Sequence, residues 1–151
     1  MSKHTARLES ILDRNPRDPS SLITVLQDIQ KEFRYLPVEV LSDASKALNV
    51  PLSKIFSAST FYKAFSLTPR GEKIIRICKG TACHIKGADL LLEQLESDLN
   101  IRAGETSSDL KFTIEVVNCV GACAMAPVMI VNEKYHGHVR VDRAVRLAKK
   151  G

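Results

Sequence analysis

The sequence has no tryptophan, few aromatic residues and no long hydrophobic run. No apolar stretch approaches the roughly 18 residues that a membrane span needs, so we expect no direct membrane insertion. Neither a Gly-x-Gly-x-x-Gly after a strand nor a phosphate-binding P-loop occurs, and no Ser/His/Asp or paired-carboxylate arrangement stands out. The chain therefore offers no nucleotide site, no flavin site and no hydride chemistry of its own.

Positive charge is in moderate excess, but the basic residues do not form the patches that nucleic-acid-binding proteins show. The 22 Lys and Arg residues outweigh the 17 Asp and Glu residues, which gives a net charge of +5. The basic residues are spread along the chain without interleaved aromatic residues or a known binding motif. We therefore expect no nucleic-acid partner. At 151 residues and 44% hydrophobic, the chain can bury one ordinary core and carry an appended helical segment.

Cysteine is also scarce, and the four that are present form two close pairs. Four residues separate Cys78 from Cys83, three separate Cys119 from Cys123, and 35 lie between the pairs. Four thiolates in two pairs suit either a tetrahedral zinc ion or a two-iron cluster in which each pair holds one iron. Structural zinc sites usually take their ligands from tight knuckles, so the spacing favours the two-iron cluster. A zinc-stabilised binding module remains the alternative.

Other uses of these cysteines fit less well. The start of the chain, residues 1–4, leads into charged residues without the apolar run of a signal peptide, so we expect a reducing cytoplasm, where disulfides are rare. A thioredoxin-type redox centre needs Cys-x-x-Cys, which is absent. A Rieske cluster needs two histidines, each beside a cysteine, and only Cys83-His84 supplies such a neighbour. Buried cysteines without a ligand stay open as a plain structural alternative.

The residues around the cysteines resemble a known family. Residues 78–84 read CKGTACH, residues 119–123 read CVGAC, and residues 126–129 read APVM. With the Leu-Pro at 36–37, the Thr-Phe-Tyr at 60–62 and Phe65, they resemble the thioredoxin-like 2Fe-2S ferredoxin subunit of NADH dehydrogenases. Similar subunits occur in respiratory complex I, NAD(P)-linked hydrogenases, formate dehydrogenases and electron-bifurcating complexes. The resemblance covers nearly the whole chain.

The resemblance implies an α/β fold in which an N-terminal helical bundle, residues 1–70, precedes a thioredoxin-like 2Fe-2S ferredoxin domain, residues 71–151. It implies one 2Fe-2S cluster held by Cys78, Cys83, Cys119 and Cys123 in an electron-transfer subunit of a multisubunit oxidoreductase. FMN, NAD(P)H and further iron-sulfur clusters are expected on partner subunits only, chiefly on a large flavoprotein subunit. The alternative is a free-standing shuttle ferredoxin, which needs no helical extension.

Short amphipathic helices are predicted over the first seventy residues. An opening helix over 5–13 is followed by a second helix that Asp18 caps, with Pro19 at its first position. The second helix carries apolar residues at helical spacing, and they are Leu22, Val25, Leu26, Ile29 and Phe33. Two more helices follow the prolines at 37 and 51, the last over 52–61. We expect the aromatic residues Phe56, Phe61, Tyr62 and Phe65 to pack in a core.

Strands alternate with helices from residue 72 onward. Two strands, 73–78 and 110–116, are predicted to be parallel neighbours joined by a helix over 87–99. Both cysteine pairs would then follow the carboxyl ends of neighbouring strands, where they can meet. A hairpin of 128–131 with 135–139 and a basic helix over 141–149 complete a thioredoxin-like order.

Several residues near the cysteines have predicted roles. The cysteine loops contain small residues, which let backbone amides approach the sulfurs. These small residues are Gly80, Ala82, Gly121, Ala122 and Ala124. We expect His84 to hydrogen-bond or face solvent, because four thiolates already complete the site. Met125 and Met129 are expected to be apolar cover, and Pro127 is a candidate for the cis bond found at a similar place in thioredoxin folds. Where the family usually has Thr-Pro-Glu, residues 140–143 differ, so a cap by Asp142 would shift the last helix by two residues.

Overall fold

Amphipathic helices build the first part of the chain, as the spacing of its apolar residues predicts. The computed structural model describes residues 3–150, in which contacts divide the chain into two units, Met1–Pro69 and Arg70–Gly151. The outer ends of the two predicted domains, at residues 1 and 151, lie outside the described residues. The first unit contains helices α1 (Lys3–Leu12), α2 (Leu22–Phe33), α3 (Val38–Leu48) and α4 (Leu52–Phe61).

Local sequence signals set the ends of these helices. The carboxylate of Asp18 accepts a hydrogen bond of 2.7 Å from the backbone N–H of Ser20 and so caps a 3-10 turn, Pro19–Ser21, that leads into α2. The predicted cap is confirmed, although the turn that it caps is not yet α-helical. Asn49 adopts the left-handed conformation, with φ of 52°, and closes α3.

The core of the first unit consists of aliphatic side chains from all four helices. The fully buried residues include Leu26, Ile29, Leu41, Leu48 and Ile55. The aromatic residues divide, because Phe65 is buried whereas Phe61 is 79% and Tyr62 46% exposed. Core packing was therefore the wrong prediction for Phe61 and Tyr62. Helix α4 buries Ile55 and Ser59, and Phe61 at its end is on the exposed side of the helix.

A mixed four-stranded sheet forms the second unit. Its strands are β1 (Lys73–Cys78), β2 (Phe112–Val117), β3 (Met129–Val131) and β4 (Lys134–His136), in the order β2-β1-β3-β4. The predicted parallel pairing of β1 with β2 and the predicted β3–β4 hairpin are both confirmed. The helices are α5 (Thr81–Ile85), α6 (Ala88–Leu99) and α7 (Val141–Lys150). None of the helices within residues 3–150 combines the length and the apolar character that crossing a membrane requires.

Three details of the second unit differ from the sequence-based expectation. The short helix α5 was not predicted, since five residues are too few to show a helical period. Strand β2 begins at Phe112 and not at residue 110 as predicted, and the apolar residues Leu110 and Val116 are 48% and 43% exposed, the latter on an edge strand. Helix α7 begins at Val141, so the shifted start was wrong, and the Asp142 carboxylate instead accepts a hydrogen bond of 3.1 Å from the Arg140 guanidinium.

The bond before Pro127 follows the expectation taken from thioredoxin folds. The Ala126–Pro127 peptide is cis. Met129 is buried, as expected of an apolar residue that covers the cysteine loops. Met125 is 39% exposed, so it covers these loops less than was predicted.

Candidate metal centre

The four cysteines reach one edge of the sheet from two neighbouring strands. Cys78 is the last residue of β1, Cys83 lies in α5, and Cys119 and Cys123 follow β2. Because Cys78 is paired in register with Val117, the loop after β2 begins beside the end of β1. All four are free thiols. The fold therefore brings together residues that the sequence holds far apart.

Burial separates the two pairs. The residues of the first pair are almost completely buried, with Cys78 1% and Cys83 2% exposed. The residues of the second pair, Cys119 and Cys123, are exposed. One side of the centre is therefore closed by the protein core, while the other side opens to the surface.

Three sulfur contacts lie at the centre, two within the loop that carries Cys119 and Cys123 and one between the two cysteine segments. The Cys119 and Cys123 Sγ atoms are 3.3 Å apart, and the backbone N–H of Gly121 donates to the Cys119 Sγ at 3.4 Å. The Cys78 thiol donates to the carbonyl of Asn118 at 3.7 Å. These contacts confirm that a backbone amide of a small residue reaches a sulfur, as predicted for Gly121.

Gly80 supplies the clearance between the two cysteine loops. A Cβ atom added at this position would lie 2.9 Å from the Cβ of Cys119, closer than such atoms approach each other in proteins. Gly80 directly precedes α5, which carries Cys83. The absence of a side chain at Gly80 thus allows the second cysteine pair to lie against the first.

The electrostatic environment differs from one cysteine to the next. Burial raises the pKa of Cys83, a hydrogen bond from the Val128 backbone opposes this rise, and the neighbouring Cys78 adds to it. At the surface, the Gly121 amide and then Cys123 lower the pKa of Cys119, whereas Cys119 raises the pKa of Cys123. Cys78 thus hinders ionisation of Cys83, and Cys119 hinders ionisation of Cys123. A bound cation relieves this repulsion.

The donor set fits a two-iron cluster. The thiols lie as two pairs, Cys78 beside Cys83 and Cys119 beside Cys123, and Cys78 also interacts with Cys123. Thiolates in two pairs, with amide donors directed at the sulfurs, are the ligands that a 2Fe-2S cluster takes from proteins. Across residues 3–150, no group of three or more His, Cys, Asp or Glu side chains is placed to hold a single metal ion. The fit to a two-iron cluster therefore rests on the two thiol pairs, each of which would hold one iron.

One contact beside the cysteines was missed by the sequence reasoning. The carboxylate of Asp89 contacts the Lys79 ammonium through Oδ1 and the His84 Nδ1 through Oδ2, the latter at 2.7 Å. The His84 side chain is 62% exposed, so it both hydrogen-bonds and faces solvent, as predicted. Asp89 in the first turn of a helix was visible in the sequence, but its partners depend on α5, which was not.

Comparisons with known proteins agree with this centre. Residues 8–150 match the family described as thioredoxin-like 2Fe-2S ferredoxin. The chain is 39% identical over 124 residues to the NADP-reducing hydrogenase subunit HndA of Solidesulfovibrio fructosivorans, covering 82% of this chain and 72% of that protein. It is 38% identical over 136 residues to an NADH-quinone oxidoreductase subunit of Rhizobium meliloti, covering 90% of this chain and 81% of that protein.

A solved structure is similar in fold. A crystal structure of an NAD+-reducing NiFe hydrogenase in the H2-reduced state superposes with a TM-score of 0.73 at 22% identity. The match covers 89% of this chain and 22% of that chain. At this identity the likeness shows the fold alone.

Proposed function

Because the chain belongs to the thioredoxin-like 2Fe-2S ferredoxin family, we propose that it binds one 2Fe-2S cluster through Cys78, Cys83, Cys119 and Cys123. It serves as the electron-transfer subunit of a multisubunit NAD(P)-linked oxidoreductase. The observation that carries this proposal is the meeting of two thiol pairs from the ends of two parallel strands. When bound, such a cluster accepts and releases single electrons.

The chain's own residues suit this task. The amides of Gly121 and Val128 donate hydrogen bonds to Cys119 and Cys83, and such bonds help to set a reduction potential. Burial of Cys78 and Cys83 excludes water on one side. Exposure of Cys119 and Cys123 leaves an edge at the surface, where an electron donor can approach.

The partners in this proposal carry the chemistry that the chain lacks. A hydride donor releases two electrons together, so a flavin has to divide them before a one-electron centre can accept them. We assign FMN, NAD(P)H binding and further iron-sulfur clusters to partner subunits, chiefly to a large flavoprotein. The names of the relatives, an NADP-reducing hydrogenase subunit and an NADH-quinone oxidoreductase subunit, support this assignment. A reducing cytoplasm, which keeps thiols available for iron, is the proposed location.

Anaerobic purification of the full chain tests the proposed cluster. We expect a brown protein with about two irons and two sulfides per chain and a reduced-state EPR signal of a single 2Fe-2S centre. Stoichiometric zinc in a colourless sample would instead establish the zinc-stabilised module.

Reduction experiments test the division of labour. Dithionite should reduce the isolated protein, whereas NAD(P)H should do so at a useful rate only when the flavoprotein subunit is present. Rapid NAD(P)H oxidation by the chain alone, in a sample free of flavin, would refute the assignment.

A further inference from the structure

One carboxylate joins the two residues that directly follow the first pair of cysteines. Lys79 follows Cys78, and His84 follows Cys83. The Oδ1 atom of Asp89 contacts the Lys79 ammonium, and its Oδ2 atom lies 2.7 Å from the His84 Nδ1. Asp89 comes from a different element, the first turn of α6, so this contact ties that helix to both cysteine positions.

The Lys79–Asp89 pair is partly withdrawn from water. The side chains are 33% and 39% exposed, respectively, and the Asp89 Oδ1 atom is itself buried. The Lys79 ammonium faces this oxygen directly and is the group that compensates its charge. A hydrogen bond from Lys79 lowers the pKa of Asp89 against the effect of burial, and His84 lowers it further, so the carboxylate is ionised at neutral pH.

Charges on residues next to the cysteines in the chain act on electron uptake. Reduction adds one negative charge to a centre that four thiolates already make negative. A nearby cation favours reduction and a nearby anion opposes it, and partial burial weakens the screening of both. Consecutive Cα atoms are about 3.8 Å apart, so Lys79 starts next to Cys78.

We propose that Asp89 is a positioning residue that holds Lys79 in a neutral ion pair beside Cys78 and Cys83, and so keeps the reduction potential of the cluster lower than an unpaired lysine would. The inference rests on the proposed function, because it presupposes that these cysteines hold the cluster. Its distinctive consequence is that the two single variants shift the potential in opposite directions, one for loss of the carboxylate and the other for loss of the ammonium.

Midpoint potentials of the full chain, measured by anaerobic titration with EPR detection, test the pair. Asp89→Asn leaves the ammonium uncompensated and should shift the potential to a more positive value. Lys79→Met leaves the carboxylate uncompensated and should shift it to a more negative value. The double variant should have a potential close to that of the wild type. Asp89→Glu keeps the negative charge, so its potential should lie closer to the wild-type value than that of Asp89→Asn.

A matched control removes the same charge elsewhere. Asp109 is paired with Lys111 at 3.7 Å and precedes β2, whereas the second cysteine pair follows β2. Asp109→Asn should therefore leave the potential almost unchanged, since screening reduces the interaction over the length of the strand.

The results separate this inference from the proposed function. Absence of a 2Fe-2S signal in the wild-type chain would refute both. A normal wild-type signal with two single variants that shift the potential in the same direction, or not at all, would overturn the role of the pair alone. If Asp89→Asn assembles no cluster, the potential of Lys79→Met alone tests the inference, because the ion pair requires Lys79→Met to have a more negative potential than the wild type.

Discussion

The two units of the chain build their cores from different kinds of residue. The core of Met1–Pro69 is built mainly from aliphatic side chains of four helices. The core of Arg70–Gly151 includes Cys78 and Cys83 beside isoleucine and leucine residues. In the second unit the same side chains therefore fill the core and offer ligands, so we expect stability and metal binding to be linked there and separate in the first unit.

Replacing the cysteines is the strongest test of this difference. Each of Cys78→Ser, Cys83→Ser, Cys119→Ser and Cys123→Ser should lose or distort the cluster, because each removes one of the proposed thiolate ligands. The metal-free proteins should then divide into two classes. The first two variants place a hydroxyl in the core and should lose about 1–3 kcal/mol of stability, whereas the two surface variants should change little.

EPR and urea unfolding of the metal-free proteins measure these effects. His84→Ala is the control, and it should keep four-thiolate spectra because His84 is expected not to bind iron. Equal loss of the cluster in the His84 variant would favour a histidine ligand. Equal stability of all four cysteine variants without metal would show that burial of Cys78 and Cys83 contributes nothing to the core.

Truncating a leucine in each core compares the units directly. Leu26→Ala in the first unit and Leu95→Ala in the second both remove a side chain that is 0% exposed. Each should cost about 2–5 kcal/mol of stability. Leu26→Ala should keep the 2Fe-2S spectrum, whereas Leu95→Ala should also weaken retention of the cluster.

Circular dichroism reports the unfolding, and absorbance of the cluster is followed in the same samples. The comparison between the units fails if Leu26→Ala releases iron as readily as Leu95→Ala does.

The sequence identified most of this architecture because its signals are local and repeated. Apolar residues such as Val25 and Ile29 recur at the helical period, and the isoleucines of 73–78 mark a buried strand. The convergence of the cysteines followed from one topological rule, that a helix between two neighbouring strands makes them parallel. These predictions needed no knowledge of how individual side chains pack.

The failures concern residues whose environment depends on distant parts of the chain. Val116 has the right period for the core but lies on an edge strand, so part of it remains exposed. Phe61 is strongly apolar and ends α4, yet it is exposed although Ser59, two residues earlier, is buried. The Lys79–Asp89 contact joins two elements through side-chain geometry, for which the sequence carries no periodic signal.

Substitutions at two glycines of the second unit distinguish steric crowding at the cysteines from backbone strain elsewhere. Gly80→Ala should push the two cysteine loops apart, because its Cβ would lie 2.9 Å from the Cβ of Cys119. We expect a loss of about 1–3 kcal/mol together with altered EPR g-values. Gly104→Ala is the control, since Gly104 has φ of 88° but open space around it.

Gly104→Ala should cost about 1–2 kcal/mol through backbone strain alone and leave the EPR spectrum unchanged. Identical spectra for wild type and Gly80→Ala would show that the cysteine loops do not need this clearance.

The smallest expected effect lies in the first unit and concerns pH. The hydroxyl of Ser20 and then its backbone N–H lower the pKa of Asp18, because both donate to the ionised carboxylate. A lowered pKa in the folded state means that the contribution of Asp18 to stability is fully present above its unfolded pKa of about 3.9 and is lost as pH falls through the folded value.

Asp18→Asn keeps an oxygen that can accept a hydrogen bond from Ser20 but removes the titratable carboxylate. The stability difference between wild type and Asp18→Asn, measured by urea unfolding with far-UV circular dichroism, should therefore shrink as the pH falls from neutrality to about 3. Parallel stability curves over this range would show that the cap acts through its geometry and not through its charge.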